Sequence, residues 1–139
     1  MALSALLIGC TADPLLRYSG GKHLYMFGTV GKLSSMDDSA RIWRELAGLP
    51  DTPATTPIAH LNAWDRTRAT QTLWGAAPDQ LQVGLIRIDG AGHAEPSRLK
   101  RYPALINRLV GAQNADFEVA EASWEFFRHK RAGLLPLTP

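Results

Sequence analysis

The chain has one cysteine, Cys10, among its 139 residues. An internal disulfide is thereby excluded, and cysteine usage says nothing about redox compartment. Long hydrophobic runs are missing as well. No stretch approaches the about 20 apolar residues that a membrane-spanning helix needs, so no membrane partner is expected. Nor is charge of one sign in excess: 15 Lys and Arg face 13 Asp and Glu, a net charge of +2. That balance offers no electrostatic ground for a nucleic-acid surface. The single dense basic cluster, Arg128 to Arg131, falls where a helix should end, and cations there complement the helix dipole. No pair of histidines or acids has the spacing of metal ligands, so no metal site is expected; no other cofactor is expected either. Repeats and low-complexity tracts are also absent.

What remains is ordinary globular material, 45% hydrophobic and 20% charged, at a length that suits one domain spanning residues 1–139. Ala2 to Ile8 reads as a buried strand, because strands covered on both faces are continuous apolar runs. Leu7-Ile8-Gly9-Cys10 is also similar to the cleavage box of a bacterial lipoprotein signal. No Lys or Arg precedes the run, however, and Ser4 interrupts it. A cytoplasmic location is the default reading, with secretion or lipoprotein export left open.

Further along, His23 to Leu33 has no clean period and is expected to be a long mobile loop. Ser34 or Ser35 then caps a helix, with Asp37 and Asp38 in its first turn and Gly48 closing it. Met36, Ala40, Trp43 and Ala47 recur at helical spacing on one face. Pro50 to Pro57 reads as a linker. Ile58 to Leu61 and Ala69 to Trp74 are expected as short strands joined by a polar turn at Asp65-Arg66-Thr67. Gln80 to Ile88 alternates like a strand and ends at Asp89-Gly90. Pro103 interrupts a mixed segment from Ser97 to Val110. Asp116 to Lys130 is the best helix, with Phe117, Ala120, Trp124 and Phe127 as its apolar stripe and Gly133 as its end. Two strong strands separated by a helix and followed by another predict an α/β protein with a few-stranded, mainly parallel sheet, flanking helices and a small β insertion.

Two loops carry the chemistry. Thr11-Ala12-Asp13-Pro14 closes the first strong strand and Gly90-Ala91-Gly92-His93 closes the last. Open α/β sheets hold their ligands at the carboxyl ends of strands. A histidine acting as general base needs a carboxylate to hold its ring in one tautomer, so Asp13 and His93 are the candidate catalytic pair. Gly90 and Gly92 shape the turn that presents the imidazole. His23, His60 and His129 have no comparable setting. The third member of a serine triad is missing: no Gly-x-Ser-x-Gly nucleophile turn occurs in the chain. Ser19, near Asp13, and Cys10, at a strand end, are the weaker nucleophile candidates. A small buried residue at a glycine-like position is the plainer reading of Cys10.

Leu6-Leu7-Ile8-Gly9-Cys10-Thr11-Ala12-Asp13-Pro14-Leu15, followed by Tyr18-Ser19-Gly20-Gly21, resembles the acid-bearing segment of the polyhydroxybutyrate depolymerase and feruloyl esterase-like α/β hydrolases. Ala40-Arg41-Ile42-Trp43, Gly90-Ala91-Gly92-His93-x-x-Pro96 and Asp116-Phe117-Glu118-x-Ala120 with Trp124-x-Phe126-Phe127 follow in the family's order. The resemblance spans nearly the whole chain but only the C-terminal half of a family member. It implies a partial α/β-hydrolase fold, with Asp13 as the triad acid and His93 as the triad base. The family usually has His-Gly before its Thr-x-Asp, where this chain has Gly9-Cys10. Glu95 stands where the family usually carries a tryptophan beside its histidine, which implies a site of altered polarity.

The reading that follows is a carboxylic ester hydrolase that carries the acid and base of a triad without the nucleophile segment. Its substrate would be a small or polymeric ester. Its partner would be a second copy of itself, as a homo-oligomer, or a separate N-terminal half. A hydrolase using Ser19 or Cys10 in a site built between two subunits is a further option. The alternative is a non-catalytic remnant or assembly module that pairs through an exposed sheet edge.

Overall fold

The computed structural model describes residues 2–25 and 28–130, with the backbone alone for the residues on either side of 26–27 from 23 to 30. Its elements run β1 (Ala5–Cys10), β2 (Gly21–Tyr25), β3 (Gly28–Leu33), α1 (Met36–Leu46), β4 (Ala54–Pro57), β5 (Arg68–Trp74), β6 (Val83–Asp89), α2 (Ala104–Val110) and α3 (Val119–Phe127). Four strands form one sheet in the order β1-β6-β5-β4, and β2 and β3 form a separate pair.

The sheet is mixed rather than mainly parallel. Only β1 and β6 run parallel, from Ala5 opposite Val83 to Cys10 opposite Ile88. β5 pairs antiparallel with β6, and β4 antiparallel with β5. The connections explain this. A short link from Trp74 to Val83 can only turn the chain back on itself, whereas the parallel pair is joined through a long excursion carrying β2, β3, α1, β4 and β5. The expected β insertion is therefore not an appendage; its two strands are half of the main sheet.

Side-chain alternation sorts the sheet's two faces. Gly84, Ile86 and Ile88 point to the side of α3, where a Cβ at Gly84 would touch Leu6 and Phe126. Ile86, Ile88, Ala69, Ala91 and Phe117 are buried there, with Leu6, Ile8, Cys10, Val119 and Ala122 packed around them. On the opposite face α1 lies across β1 and β6. Gly9 is the close-approach point: a side chain there would run into Met36 and Tyr18.

α1 starts as its sequence predicts. Ser35 is the N-cap, its Oγ accepting from the Asp38 N–H at 3.0 Å. Ala40 is buried while Trp43 is partly exposed, and Gly48 follows at φ +67°. Several other boundaries differ from expectation. His23 to Leu33 is a β-hairpin, β2 and β3, rather than one loop; residues 26–27 lie outside the described residues. The first insertion strand is Ala54–Pro57 within the expected linker, not Ile58 to Leu61. All four of its residues are exposed, and a sheet edge tolerates Pro57. Arg68 begins β5 beyond a loop whose Asp65 carboxylate accepts from the Thr67 N–H at 2.8 Å. Pro103 sits just before α2 rather than inside it, where its fixed φ suits a helix start. α3 is shorter than expected and buries Phe126; Trp124, two thirds exposed, lies off the packed face. The expected end at Gly133 lies outside the described residues. No helix among the described residues is long and apolar enough to cross a membrane.

Candidate functional site

Parallel pairing of β1 and β6 sends both strands to the same sheet edge. The loops that leave them are then stitched together. The Thr11 N–H donates to the Ile88 carbonyl at 3.0 Å and the Ala12 N–H to the Ala91 carbonyl at 3.0 Å. The Thr11 hydroxyl accepts from the Gly90 N–H at 2.9 Å. Gly90 makes the turn at φ +75°, a left-handed conformation that favours glycine. Gly92 serves differently. A Cβ there would collide with the Val110 carbonyl and with Gly111, because the two backbones cross in contact. The Gly92 and His93 N–H groups donate to the Ala112 and Val110 carbonyls, so the end of α2 anchors the His93 loop.

The result is a bonded pair from positions 80 residues apart: His93 Nδ1 lies 2.8 Å from Asp13 Oδ2. The other Asp13 oxygen accepts the Leu15 and Leu16 N–H groups at 2.7 and 2.8 Å. Pro14, which has no N–H, opens this turn. An ionised carboxylate only accepts, so against it Nδ1 carries the proton, and in a neutral ring that leaves the lone pair on Nε2. Asp13 is nearly enclosed, its side chain 9% exposed, whereas the His93 ring is 41% exposed. The carboxylate is sheltered and the imidazole is open.

A cavity of about 240 Å³ adjoins the pair, lined by Cys10, Leu16, Tyr18, Met36, Glu95 and Pro96 among others. Tyr18 is buried and donates its hydroxyl to Asp37 Oδ1 at 2.7 Å, while the Arg87 guanidinium lies 5.3 Å from its ring centre. Burial and the Asp37 bond push the Tyr18 hydroxyl pKa well above the usual range, so this residue stays neutral and shapes the wall.

Neither weaker nucleophile candidate is bonded to His93: among the described residues, the ring's one side-chain hydrogen bond is to Asp13. Ser19 is exposed in the turn before Gly20. Cys10 is half-buried against the core on the α3 face, and burial, with the nearby Asp13 charge, pushes its thiol pKa up to about 11. That is the direction opposite to an activated thiolate.

A second histidine–carboxylate pair escaped sequence reasoning. His60 Nδ1 lies 3.0 Å from Asp116 Oδ1. Asp116 also accepts from the Leu61 N–H at 3.0 Å and from Asn114 Nδ2 at 3.0 Å, and Asn114 Nδ2 reaches the Thr67 hydroxyl at 2.7 Å. Burial opposes ionisation of Asp116, but these donors outweigh it and hold the carboxyl below its ordinary pKa. Its side chain is fully enclosed, and His60 Nε2 is enclosed without a hydrogen-bond partner among the described residues. This pair clasps the loop before β5 to the segment before α3. The only sequence cue was the polar run Gln113-Asn114 ahead of Asp116, in a segment otherwise read for its apolar stripe.

Among the described residues no group of three or more His, Cys, Asp or Glu is placed to hold a metal ion. No family model, curated protein or solved structure matches this chain.

Proposed function

We propose that this chain is the acid- and base-bearing part of a carboxylic ester hydrolase of the serine type, with His93 as general base and Asp13 as the residue that orients it. The observation that carries the reading is the 2.8 Å contact between His93 Nδ1 and Asp13 Oδ2 at a shared strand-end edge, with Nε2 free of a side-chain partner among the described residues. The resemblance to depolymerase and feruloyl esterase-like hydrolases supports the same assignment.

In this reading a serine hydroxyl lies against His93 Nε2. The ring takes the hydroxyl proton as the oxygen attacks the ester carbonyl, and Asp13 stabilises the imidazolium formed. The Nε2 proton then passes to the departing alcohol as the tetrahedral intermediate collapses to an acyl-enzyme. A water molecule, deprotonated by the same nitrogen, releases the acid and restores the serine. The short cavity beside the pair would receive the acyl group. The serine and the donors that stabilise the oxyanion come from outside this stretch, from an N-terminal half or from a second copy of it. No cofactor enters the reaction.

Turnover of nitrophenyl butyrate by the purified protein, with and without a fluorophosphonate serine probe, tests this. His93→Ala should abolish hydrolysis, and the serine that takes the probe identifies the nucleophile. Hydrolysis that persists undiminished in His93→Ala refutes the assignment.

The alternative, a non-catalytic assembly module, rests on a different observation. β1 pairs only with β6 among the described residues, which leaves its other edge without a strand there. Absence of both turnover and probe labelling, together with self-association in dilute solution, favours that reading.

A further inference from the structure

The cavity beside Asp13 and His93 has an asymmetric charge. Its body is apolar, built from Ile8, Leu16, Met36 and Pro96 with the Tyr18 ring, and its acidic side chains are Asp13 and Glu95; among the described residues no Lys or Arg lines it. Arg17 and Lys22 line a different pocket, and Arg87, whose guanidinium lies 5.3 Å from the Tyr18 ring centre, is paired with Asp89.

The two carboxylates are not equivalent. Asp13 is already met by two backbone N–H groups and the His93 ring. The Glu95 carboxylate has no hydrogen bond or ion pair among the described residues; only its backbone carbonyl is engaged, accepting from the buried Gln113 Nε2 at 2.8 Å. That bond pins the backbone of Glu95, which is exposed and lines the cavity two residues from His93. At about 240 Å³ the cavity falls below the about 300–1,000 Å³ typical of drug-sized ligands, so it suits a short, compact group.

We propose that Glu95 is a specificity-determining residue that selects ligands with a compact apolar body and a cationic head, such as a quaternary ammonium, and rejects carboxylates. As a statement about substrate choice this rests on the hydrolase reading, but binding itself requires no serine. The charge acts across a wet mouth, so its effect is modest and salt-dependent: exposed ion pairs correspond to roughly two- to fivefold in affinity.

Three probes of matched shape test it: choline, its neutral carbon analogue neohexyl alcohol, and the anion tert-butylacetate. Each is titrated into the full chain at low salt, with the His93 ring and Glu95 side-chain resonances as the readout. Choline should bind about two- to fivefold more tightly than the alcohol and the anion more weakly than both. Glu95→Gln, at an exposed position, should bring choline and the alcohol together and improve the anion. Equal affinities, an order unchanged by Glu95→Gln, or no response of His93 to any probe would overturn the inference. The serine-dependent turnover assay is unaffected by these outcomes, so the two readings fail separately.

Discussion

Replacing Asp13 by Asn probes the central pair with little disturbance of shape. Asn Oδ1 can keep the Leu15 and Leu16 N–H bonds, which hold the turn. The other position becomes an NH₂, a donor aimed at His93 Nδ1 where a carboxylate oxygen accepted at 2.8 Å. Two donors cannot share that contact. The imidazole must therefore shed its Nδ1 proton and move it to Nε2, the nitrogen that acts as base in the proposed mechanism. Stability should change little, by about 0.5–1.5 kcal/mol, the net worth of one hydrogen bond. Catalysis should fall far more, by about 10⁴ in kcat, the cost known for the wrong tautomer in a serine triad. Ring nitrogen NMR separates the two effects, because it reports Nδ1–H in the parent and Nε2–H in Asp13→Asn without any substrate. A parent ring already protonated on Nε2, or an Asp13→Asn variant that keeps both its tautomer and its turnover, would refute the orienting role.

Three further outcomes are expected. Gly92→Ala places a methyl against the Val110 carbonyl and Gly111, so it should cost about 1–3 kcal/mol in urea unfolding and weaken the His93–Asp13 bond seen by NMR. Asp116 is held below its ordinary pKa of 3.8 despite burial, so its share of stability is complete above that value and is lost as pH falls through its lower folded value. The urea midpoint should drop in that acidic window, and Asp116→Asn should flatten the drop while lowering stability at neutral pH. Cys10, with its thiol pushed up to about 11, should alkylate slowly near neutrality and accelerate with rising pH towards that value; rapid alkylation at neutral pH would contradict its packing.

How much of this was legible in the residues differs by feature. The N-cap of α1 was readable because Ser35 and Asp38 make a local bond that depends on nothing distant. The strands β1 and β6 were readable because apolar runs and alternation report burial directly, although each end shifted by a few residues. β4 was hidden inside a Pro- and Thr-rich run because an exposed edge strand has no apolar face to announce it. The stripe assigned to α3 turned out to be rotated: Phe126 faces the sheet while Trp124 faces outward, and with Phe117 and Trp124 both in the pattern, spacing alone could not say which rows would find a surface.

Local chemistry was written in the chain itself: an acid after one strand, a histidine in a glycine turn after another, a capped helix between them, and no serine elbow. Partnership was not. Whether Asp13 meets His93 depends on β1 lying beside β6 in parallel, and that arrangement is a property of long-range pairing across 80 positions. The same holds for His60 and Asp116, joined across 56 positions with no cue beyond the polar run Gln113-Asn114. A sequence records what each residue can donate, accept or bury; only the packed sheet and its crossing loops decide which of those capacities are spent on one another.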